Sequence, residues 1–456
     1  MAGKKQSLTP EEKLARALVP QDQQPYKLPK GWVWTYGKNI FLPMESTKPE
    51  GKTFRYIDIE SINNEIQTIG EPKVIESSNA PSRASRKLHN GDTIFSLVRP
   101  YLKNIAYVNE LFEDCIASTG FFVCTAIPNI SPKYIYWLMC SPFVVQGLNK
   151  YMKGDNSPSI RKSDIESFLF PLPPLPEQQR IVSRIESLFA KLDAARDKLQ
   201  QVLDTQEARR AAILHEAFTG RLTGHKGSAE CRGKREKEGA QNPEGTEFVP
   251  EGWKRVKFSD IAEVKSNLVS PQDYQDFPHI APDNIEKATG RLLSYHTIKE
   301  DKVTSPKHRF YPGQILYSKI RPYLSKVVIV DFDGLCSADM YPIETTENTR
   351  YLWYYMLSNE FLLQALSGKS RTVLPKINQK ELAQIKVLVP PPDEQIVIVE
   401  KLDRIFMNEQ KNYKIVRYSL SQIDLLKKSI LARAFRGQLG TQDPSDPDAR
   451  DLLTSE

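Results

Sequence analysis

No run of about 18 apolar residues occurs anywhere in this 456-residue chain, so nothing in it reads as a membrane-spanning helix. Its opening, MAGKKQSLTPEEKLARALVP, lacks the apolar stretch of a signal peptide. A cytoplasmic location with no membrane partner is the expectation. Cysteine is scarce: Cys115, Cys124, Cys140, Cys231 and Cys336 form no CxxC pair and have no histidine at ligand spacing. That argues against a disulfide framework and a zinc site and predicts reduced, mostly buried thiols. The histidines (His89, His215, His225, His279, His296 and His308) do not cluster. Nucleotide motifs are missing too. Gly368-Lys369-Ser370 imitates the end of a phosphate-binding loop, but Leu363 stands where its first glycine is required. There is no Gly-rich dinucleotide loop and no Asn/Asp-Pro-Pro-Tyr/Phe methyltransferase motif. Machinery for ATP or methyl transfer is therefore not expected in this chain. The nearest catalytic pattern is Pro282-Asp283 followed by Glu300-Asp301-Lys302, which fits the loose signature of nucleases whose carboxylates hold Mg²⁺. In the other half Glu60 stands opposite Asp283 and no Glu-x-Lys follows.

What is present is a duplication. GDTIFSLVRPYLKNIAYV begins at Gly91 and GQILYSKIRPYLSKVVIV at Gly313. The glycine, a serine and the Arg-Pro-Tyr-Leu run are identical, and the differences Ile94/Leu316, Phe95/Tyr317 and Val98/Ile320 keep apolar character. The echo extends outward in both directions. LPKGW answers VPEGW, YIYWLMCS answers YLWYYMLS, FPLPPLPEQQRIV answers VLVPPPDEQIVIV, and ILHEAFTGRL answers ILARAFRGQL. Each half is a mixed globular segment followed by a helix. Tyr134, Trp137, Trp353 and Tyr354 fall in apolar stretches of the repeat and read as core. With 40% hydrophobic and 26% charged residues the chain reads as globular, and its net charge of +7 suits a polyanionic partner.

After the prolines at 173–176, apolar residues recur at helical spacing: Ile181, Ile185, Leu188, Leu192, Ala195, Leu199, Val202 and Ile213. Neither proline nor glycine interrupts Glu177 to Phe218, which predicts a single helix of about 42 residues, roughly 60 Å long. In the second copy Ile398, Leu402, Ile405, Val416, Ile423, Leu426 and Ile430 form the matching stripe, interrupted by Glu409, Asn412 and Ser419. Two such stripes would bury each other as a coiled coil, or each would pack on its own globular segment. Pro173-Pro174-Leu175-Pro176-Glu177-Gln178 and Pro390-Pro391-Pro392-Asp393-Glu394-Gln395 punctuate the helix starts, and Gly220 and Gly437 the stops.

Two globular segments, each carrying the Arg-Pro-Tyr-Leu strand and each ending in a Pro-Pro-x-x-Glu-Gln helix start, resemble the specificity subunits of Type I restriction-modification enzymes over essentially 25–440. The resemblance implies an α+β protein of two tandem target recognition domains, each followed by a long helix, the helices pairing as an antiparallel coiled coil. The expected layout is an arm with a docking helix (1–24), a first recognition domain (25–172) and a central helix (173–220). A flexible linker (221–247), a second recognition domain (248–388), a C-terminal helix (389–438) and a mobile tail (439–456) follow. Each domain would read one half of a bipartite, asymmetric site in double-stranded DNA. The helices would set the spacing and dock two methyltransferase subunits. S-adenosylmethionine, ATP and Mg²⁺ would belong to those and to restriction/translocase subunits, and this chain would carry no catalytic residue, metal site or cofactor of its own. A stand-alone nuclease and a coiled-coil adaptor without a DNA role are the alternatives.

DNA contacts call for cationic and amide side chains in loops. In the first domain these are Arg83, Arg86, Lys87, Lys150, Lys153, Asn156, Arg161 and Lys162; in the second, Lys307, His308, Arg309, Lys369, Arg371, Lys376 and Asn378. Ser159-Ile160-Arg161 against Lys376-Ile377-Asn378 shows a repeated frame with different polar residues. The repeated strand is read as buried. Arg99 and Arg321, at its end, are candidates for a shared phosphate contact or a structural ion pair.

Overall fold

The computed structural model describes residues 9–225, 249–367 and 375–454. They form two compact units, one from the chain up to Leu199 together with Tyr418 onward, the other from Gln200–Arg417. Both boundaries fall inside the long helices, so each unit holds the start of one helix and the end of the other.

Both units are organised around the repeated strand. Gly91 and Gly313 turn the chain into it at φ +98° and +87°, a backbone region that disfavours any side chain. Thr93–Ser96 then pairs antiparallel with Phe121–Cys124 and Ile105–Tyr107. Ile315–Ser318 pairs with Met340–Thr345 and Val327–Ile329. Every residue of both strands is buried, because successive side chains enter different cores. Phe95 packs with Tyr134, Ile135 and Leu138 of the following helix, whereas Ile94 packs with Ile57 and Ala117 of a second sheet and with Leu88 just past its edge strand. In the second unit Ile315 and Tyr317 face Tyr351 and Leu352, and Leu316 faces Ile280, Phe310 and Cys336. A strand covered on both faces needs a continuous apolar run, which explains its composition. The second sheet runs in the order Lys73–Glu76, Thr53–Ile57, Ile116–Ser118, Ala84–Lys87 in the first unit. In the other unit it is five-stranded, built around Lys307–Phe310 and Gly334–Cys336. An antiparallel ribbon closes each globular part: Val33–Tyr36 on Leu169–Leu172, and Lys254–Lys257 on Lys386–Val389.

The first long helix corrects the single-helix expectation. It comprises Leu175–Asp204 and Gln206–Phe218, with Thr205 at ψ 0° between them. The Thr205 hydroxyl donates to the Gln201 carbonyl (2.8 Å) and the Arg209 guanidinium to the Val202 carbonyl (2.8 Å). Side chains thus compete for carbonyls of the helix ladder. The second helix, Pro392–Ala434, is unbroken. Gly220 and Gly437 terminate the helices at φ +77° and +67°.

Within each unit the helices run antiparallel. In the first, Lys427 reaches Asp193 (2.5 Å) and Arg196 pairs with Asp424. In the second, Arg210 lies over the Phe406 ring (4.1 Å) and Lys401 donates to the Leu222 carbonyl (2.8 Å). The stripes do both things the sequence allowed. Ile181 and Ile185 sink into the first globular core, and Ile398 and Leu402 into the second. Leu188, Leu192, Leu199 and Ile405 are half-buried, and Val416 and Ile423 are buried. Val202 and Leu426, expected in the seam, are 38% and 50% exposed. Val202 borders a groove whose other side is lined by Asn408, Glu409 and Asn412, and polar residues do not close over it. Leu426 is displaced because the inward positions run through Ile423, Lys427 and Ala434 instead.

The Glu-Gln pair at each helix start explains its own repetition. Gln178, fully buried, accepts from the Ser131 N–H (2.9 Å) and donates to the Pro173 carbonyl (2.9 Å). Gln395 accepts from the Asn348 N–H (3.0 Å) and donates to the Pro390 carbonyl (3.1 Å). Glu177 accepts from the Trp32 indole (2.7 Å), and Glu394 from the Trp253 indole (3.0 Å). The other oxygen of each carboxylate is held by the segment that follows the opposite helix: Thr441 donates to Glu177 (3.1 Å), while Thr223 and His225 lie 2.5 Å and 2.9 Å from Glu394. Burial pushes the Glu177 carboxyl upward, opposed by these hydrogen bonds. The tail beyond Leu439, expected to be mobile, contacts the first unit through residues 441–449. Asp446 pairs with Arg180, the Ala449 N–H donates to the Gly31 carbonyl (2.9 Å), and Ala449 is buried.

Gln178→Ala and Gln395→Ala each strand a part-buried N–H and a buried carbonyl. Each is expected to cost about 2–3 kcal/mol, measured by urea unfolding of the full chain; a loss below about 0.5 kcal/mol would show that the amide is dispensable.

Candidate nucleic-acid interface

The Arg-Pro-Tyr-Leu segment is a tight turn leaving the buried strand. Arg99 (φ 47°, ψ 56°) and Arg321 (φ 48°, ψ 57°) are both left-handed, followed by one turn of 3₁₀ helix and a second left-handed residue, Lys103 or Ser325. Left-handed backbone costs an L-residue about 1–2 kcal/mol, and such strain persists only where its surroundings enforce it. Here they do so twice. The Arg99 N–H donates to the Pro158 carbonyl (2.8 Å) and the Ile160 N–H to the Leu97 carbonyl (2.9 Å). In the second unit Arg321 bonds Pro375 (2.8 Å) and Ile377 bonds Lys319 (2.9 Å). Hydroxyls of Ser96 and Ser318 brace the carbonyls of Val98 (2.7 Å) and Ile320 (3.1 Å). Pro100 and Pro322 are buried, whereas the arginines and the tyrosines after the prolines, Tyr101 and Tyr323, are exposed. The two tyrosines were not singled out by sequence, although their exact repetition within an exposed turn was a usable signal.

In the first unit this turn gathers predicted residues. Lys153 and Ser159 exchange backbone hydrogen bonds (3.0 Å each), closing a loop with Asn156 at its exposed tip. The Arg99 guanidinium donates to the Asn156 carbonyl (2.8 Å). Arg161 and Lys162 follow, both exposed, with Lys162 3.1 Å from Glu166; Lys150 lies just ahead of the loop. Arg83 joins through the 119–120 turn: Thr119 N–H donates to the Arg83 carbonyl and Leu97 N–H to the Gly120 carbonyl (2.8 Å each). Arg86 and Lys87 are in a strand rather than a loop. Arg86 is half-buried and Lys87 pairs with Glu45 (2.9 Å).

The second unit departs further from expectation. Lys307, His308 and Arg309 occupy a strand, not a surface loop. Lys307 is buried with its ammonium on the Ser305 hydroxyl (2.6 Å), and His308 is buried beside Ser266 (3.5 Å). Arg309 lies against the rings of Tyr274, Phe277 and Tyr311. Sheet formation, not charge, decides their position. The Asn378 side chain accepts from the Glu381 N–H (2.9 Å) as the cap of a short helix, which accounts for an asparagine there. Lys376 and Arg321 are exposed beside one another's backbone. Lys369 and Arg371 lie outside the described residues. Neither Arg99 nor Arg321 has a carboxylate partner among the described residues, so the ion-pair reading of the two finds no support.

Catalytic alternatives find no geometry. Asp283 is fully exposed, 3.5 Å from Lys326. Glu300 accepts from the Thr297 N–H (2.8 Å) and hydroxyl (3.0 Å), which lowers its carboxyl below the usual range. No acidic, histidine or cysteine group that could hold a metal occurs among the described residues. Cys115, Cys124, Cys140 and Cys336 are free and buried; Cys231 lies outside the described residues. Burial pushes the Cys115 thiol up to about 11 and Cys140 up to about 12, so neither supplies a thiolate at neutral pH. No described helix is long and apolar enough to cross a membrane.

The architecture is that of a duplicated specificity module: two sheet-and-helix units, each presenting the same strained turn and each clamped to a long helix. Two stretches, 37–204 and 250–417, match the Type I restriction modification DNA specificity domain. The chain belongs to this family of Type I restriction-modification specificity subunits. It is 40% identical over 323 residues to the Type I restriction enzyme EcoDI specificity subunit of Escherichia coli, covering 69% of this chain and 71% of that protein. The StySPI specificity subunit of Salmonella potsdam is 24% identical over 327 residues, covering 69% and 66%. Among solved structures, the HsdS subunit from Thermoanaerobacter tengcongensis superposes with a TM-score of 0.65 at 26% identity, over 92% of this chain and all of that one. A chain from a structure describing complex assembly and conformational transition of the type I R-M system gives 0.70 at 26% identity, over 91% and 100%. As a specificity subunit it is a non-catalytic part of an enzyme complex, and nothing supports the nuclease alternative.

Two measurements check the local physics. Arg99→Gly and Arg321→Gly relieve the left-handed backbone and are expected to leave stability unchanged or raise it by up to about 1 kcal/mol; a drop beyond about 1 kcal/mol in denaturant unfolding would show that the side chain is needed for the fold. His308 is held below its usual 6.5 by burial and by Lys319. The unfolded chain therefore binds the extra proton, and the stability that neutral His308 contributes is lost as pH falls below about 6.5. A His308→Gln variant should show a flatter decline in melting temperature between about pH 7 and 5.

Proposed function

We propose that each unit reads one half of a bipartite, asymmetric site in double-stranded DNA, and that the paired helices set the distance between the halves. The observation that carries this reading is the strained Arg99/Arg321 turn, built twice on one frame and ringed in the first unit by Lys153, Asn156, Arg161, Lys162 and Arg83. Backbone strain concentrates at binding sites, and an exposed arginine held on such a turn suits a phosphate contact. Arg99 and Arg321 take the role of shared phosphate contacts in this reading, and the loops around them supply base readout. Residues 25–172 and 248–388 act as recognition domains, joined to their helices by the Glu-Gln clamps. Lys369 and Arg371 belong to the same set by sequence position. Lys307, His308 and Arg309 serve the second sheet instead.

The same reading assigns the chemistry to partners. Two methyltransferase subunits, bound along the helices, supply S-adenosylmethionine and adenine methylation. Restriction/translocase subunits supply ATP-driven movement and Mg²⁺-dependent cleavage in the cytoplasm. Half-sites held at the ends of a helical pair are legible only at one spacing and phase of the duplex.

Binding of the assembled methyltransferase complex to its selected site is expected to fall about 1,000-fold or more between roughly 50 and 200 mM salt, and Arg99→Gly should weaken it without shifting sequence preference. Indifference to salt, or selection of no two-part sequence, would sink the reading. Deleting seven residues from both helices shortens the pair by about 10 Å, or about three base-pair steps. The preferred spacer should contract, or binding should be lost; an unchanged spacer would rule out the measuring role.

A further inference from the structure

The duplication makes each unit a control for the other. Around the strained arginine, three positions correspond through identical backbone hydrogen bonds. The Leu97 N–H donates to the Gly120 carbonyl (2.8 Å) and the Leu97 carbonyl accepts from Ile160 (2.9 Å), directly after Ser159. The Lys319 N–H donates to the Asp339 carbonyl (3.0 Å) and the Lys319 carbonyl accepts from Ile377 (2.9 Å), directly after Lys376. The turn serines match as well: the Gly120 N–H donates to the Ser118 hydroxyl (3.1 Å) and the Asp339 N–H to the Ser337 hydroxyl (3.2 Å). Leu97, Gly120 and Ser159 thus stand where the second unit has Lys319, Asp339 and Lys376. One frame carries no charge at these positions, and the other carries three.

The three charges are in contact. Lys376 Nζ lies 3.4 Å and Lys319 Nζ 3.8 Å from Asp339 Oδ1, and Lys319 also donates to the Ala338 carbonyl (2.7 Å). Nothing among the described residues hydrogen-bonds Asp339 Oδ2. The side chains are 25%, 41% and 55% exposed for Lys319, Asp339 and Lys376. Ion pairs this exposed contribute at most about 1 kcal/mol to folding, and the first unit builds the same frame without them. Stability therefore does not account for the cluster. Its position does point to a role, because Lys376 bridges Ile320 beside the exposed Arg321.

We propose that Lys319, Asp339 and Lys376 form a specificity-determining group that reads the major-groove edge of one base pair in the half-site taken by the second unit. This rests on the DNA-reading function above. Both ammonium groups sit on Oδ1 and leave Oδ2 open, so the group offers two cationic donors and one carboxylate acceptor. Each base pair presents two acceptors and one donor in its major groove, in an order that differs between pairs. A group that carries both donors and an acceptor therefore distinguishes one pair from the others. Leu97, Gly120 and Ser159 offer no such set, so the equivalent place in the first half-site is read differently.

The test uses the full chain in its assembled methyltransferase complex, selecting from duplexes randomised in both halves. Wild type is expected to select a two-part sequence. Asp339→Ala, Lys376→Ser and the triple variant Lys319→Leu, Asp339→Gly, Lys376→Ser should each relax the same single position of one half by about tenfold or more. The rest of that half and the whole of the other half should be retained, which also reports that the variants fold. Unchanged preference in all three variants overturns the proposal, as does an affinity loss spread evenly over all sequences. Failure of wild type to select any two-part site would instead overturn the function on which the proposal rests.

Discussion

Gln178 is enclosed at the first turn of the first long helix, its carbonyl on the Ser131 N–H and its amide on the Pro173 carbonyl, and the rest of the unit depends on that placement. The neighbouring Glu177 ties the same turn to Trp32 and Thr441. Gln395 and Glu394 do the same with Asn348, Trp253, Thr223 and His225. A buried amide or carboxylate tolerates only a geometry that satisfies its hydrogen bonds, since each unmet one costs about 1–3 kcal/mol. The helix therefore leaves its globular part in one direction. The segment following the opposite helix is drawn into the same clamp, and a duplicated motif becomes a duplicated junction.

From this fixed junction outward the two units divide into frame and variable positions. The frame includes the strand buried on both faces, the left-handed arginine and the backbone bonds to the loop that follows the helices. It is costly to alter because its parts enforce one another. The positions it presents, such as Leu97 against Lys319 or Gly120 against Asp339, carry little folding energy and differ between the copies. A specificity subunit needs this separation. In the proposed reading, targets change by substitution at exposed positions, while the core maintains the strained turn beside them.

The chemistry of the chain is correspondingly quiet. Its described cysteines are protonated by burial, and the carboxylates that imitate a nuclease signature are occupied by Lys326 and Thr297. Cations that look equivalent in sequence differ sharply in surroundings. Arg99 is presented on a turn, Arg309 lies among aromatic rings, and Lys307 is buried on Ser305.

Periodicity and duplication were enough to reveal two mixed globular units, their long helices, the glycine stops and the buried repeated strand. These features are local, or are written twice, and apolar spacing is what secondary structure needs in order to bury one side of itself. The family resemblance was legible for the same reason. Hydrogen-bond competition at Thr205, the contacts of the acidic tail with Arg180 and Gly31, and the loss of Val202 and Leu426 from the seam were not legible. Nor was the withdrawal of Lys307, His308 and Arg309 into a sheet. Each depends on partners far away in the chain, and a residue's own type does not say whether a neighbour will satisfy it. The cluster of Lys319, Asp339 and Lys376 is the clearest instance: three unremarkable charges in sequence become one group only because strand, turn and loop bring them to the same arginine.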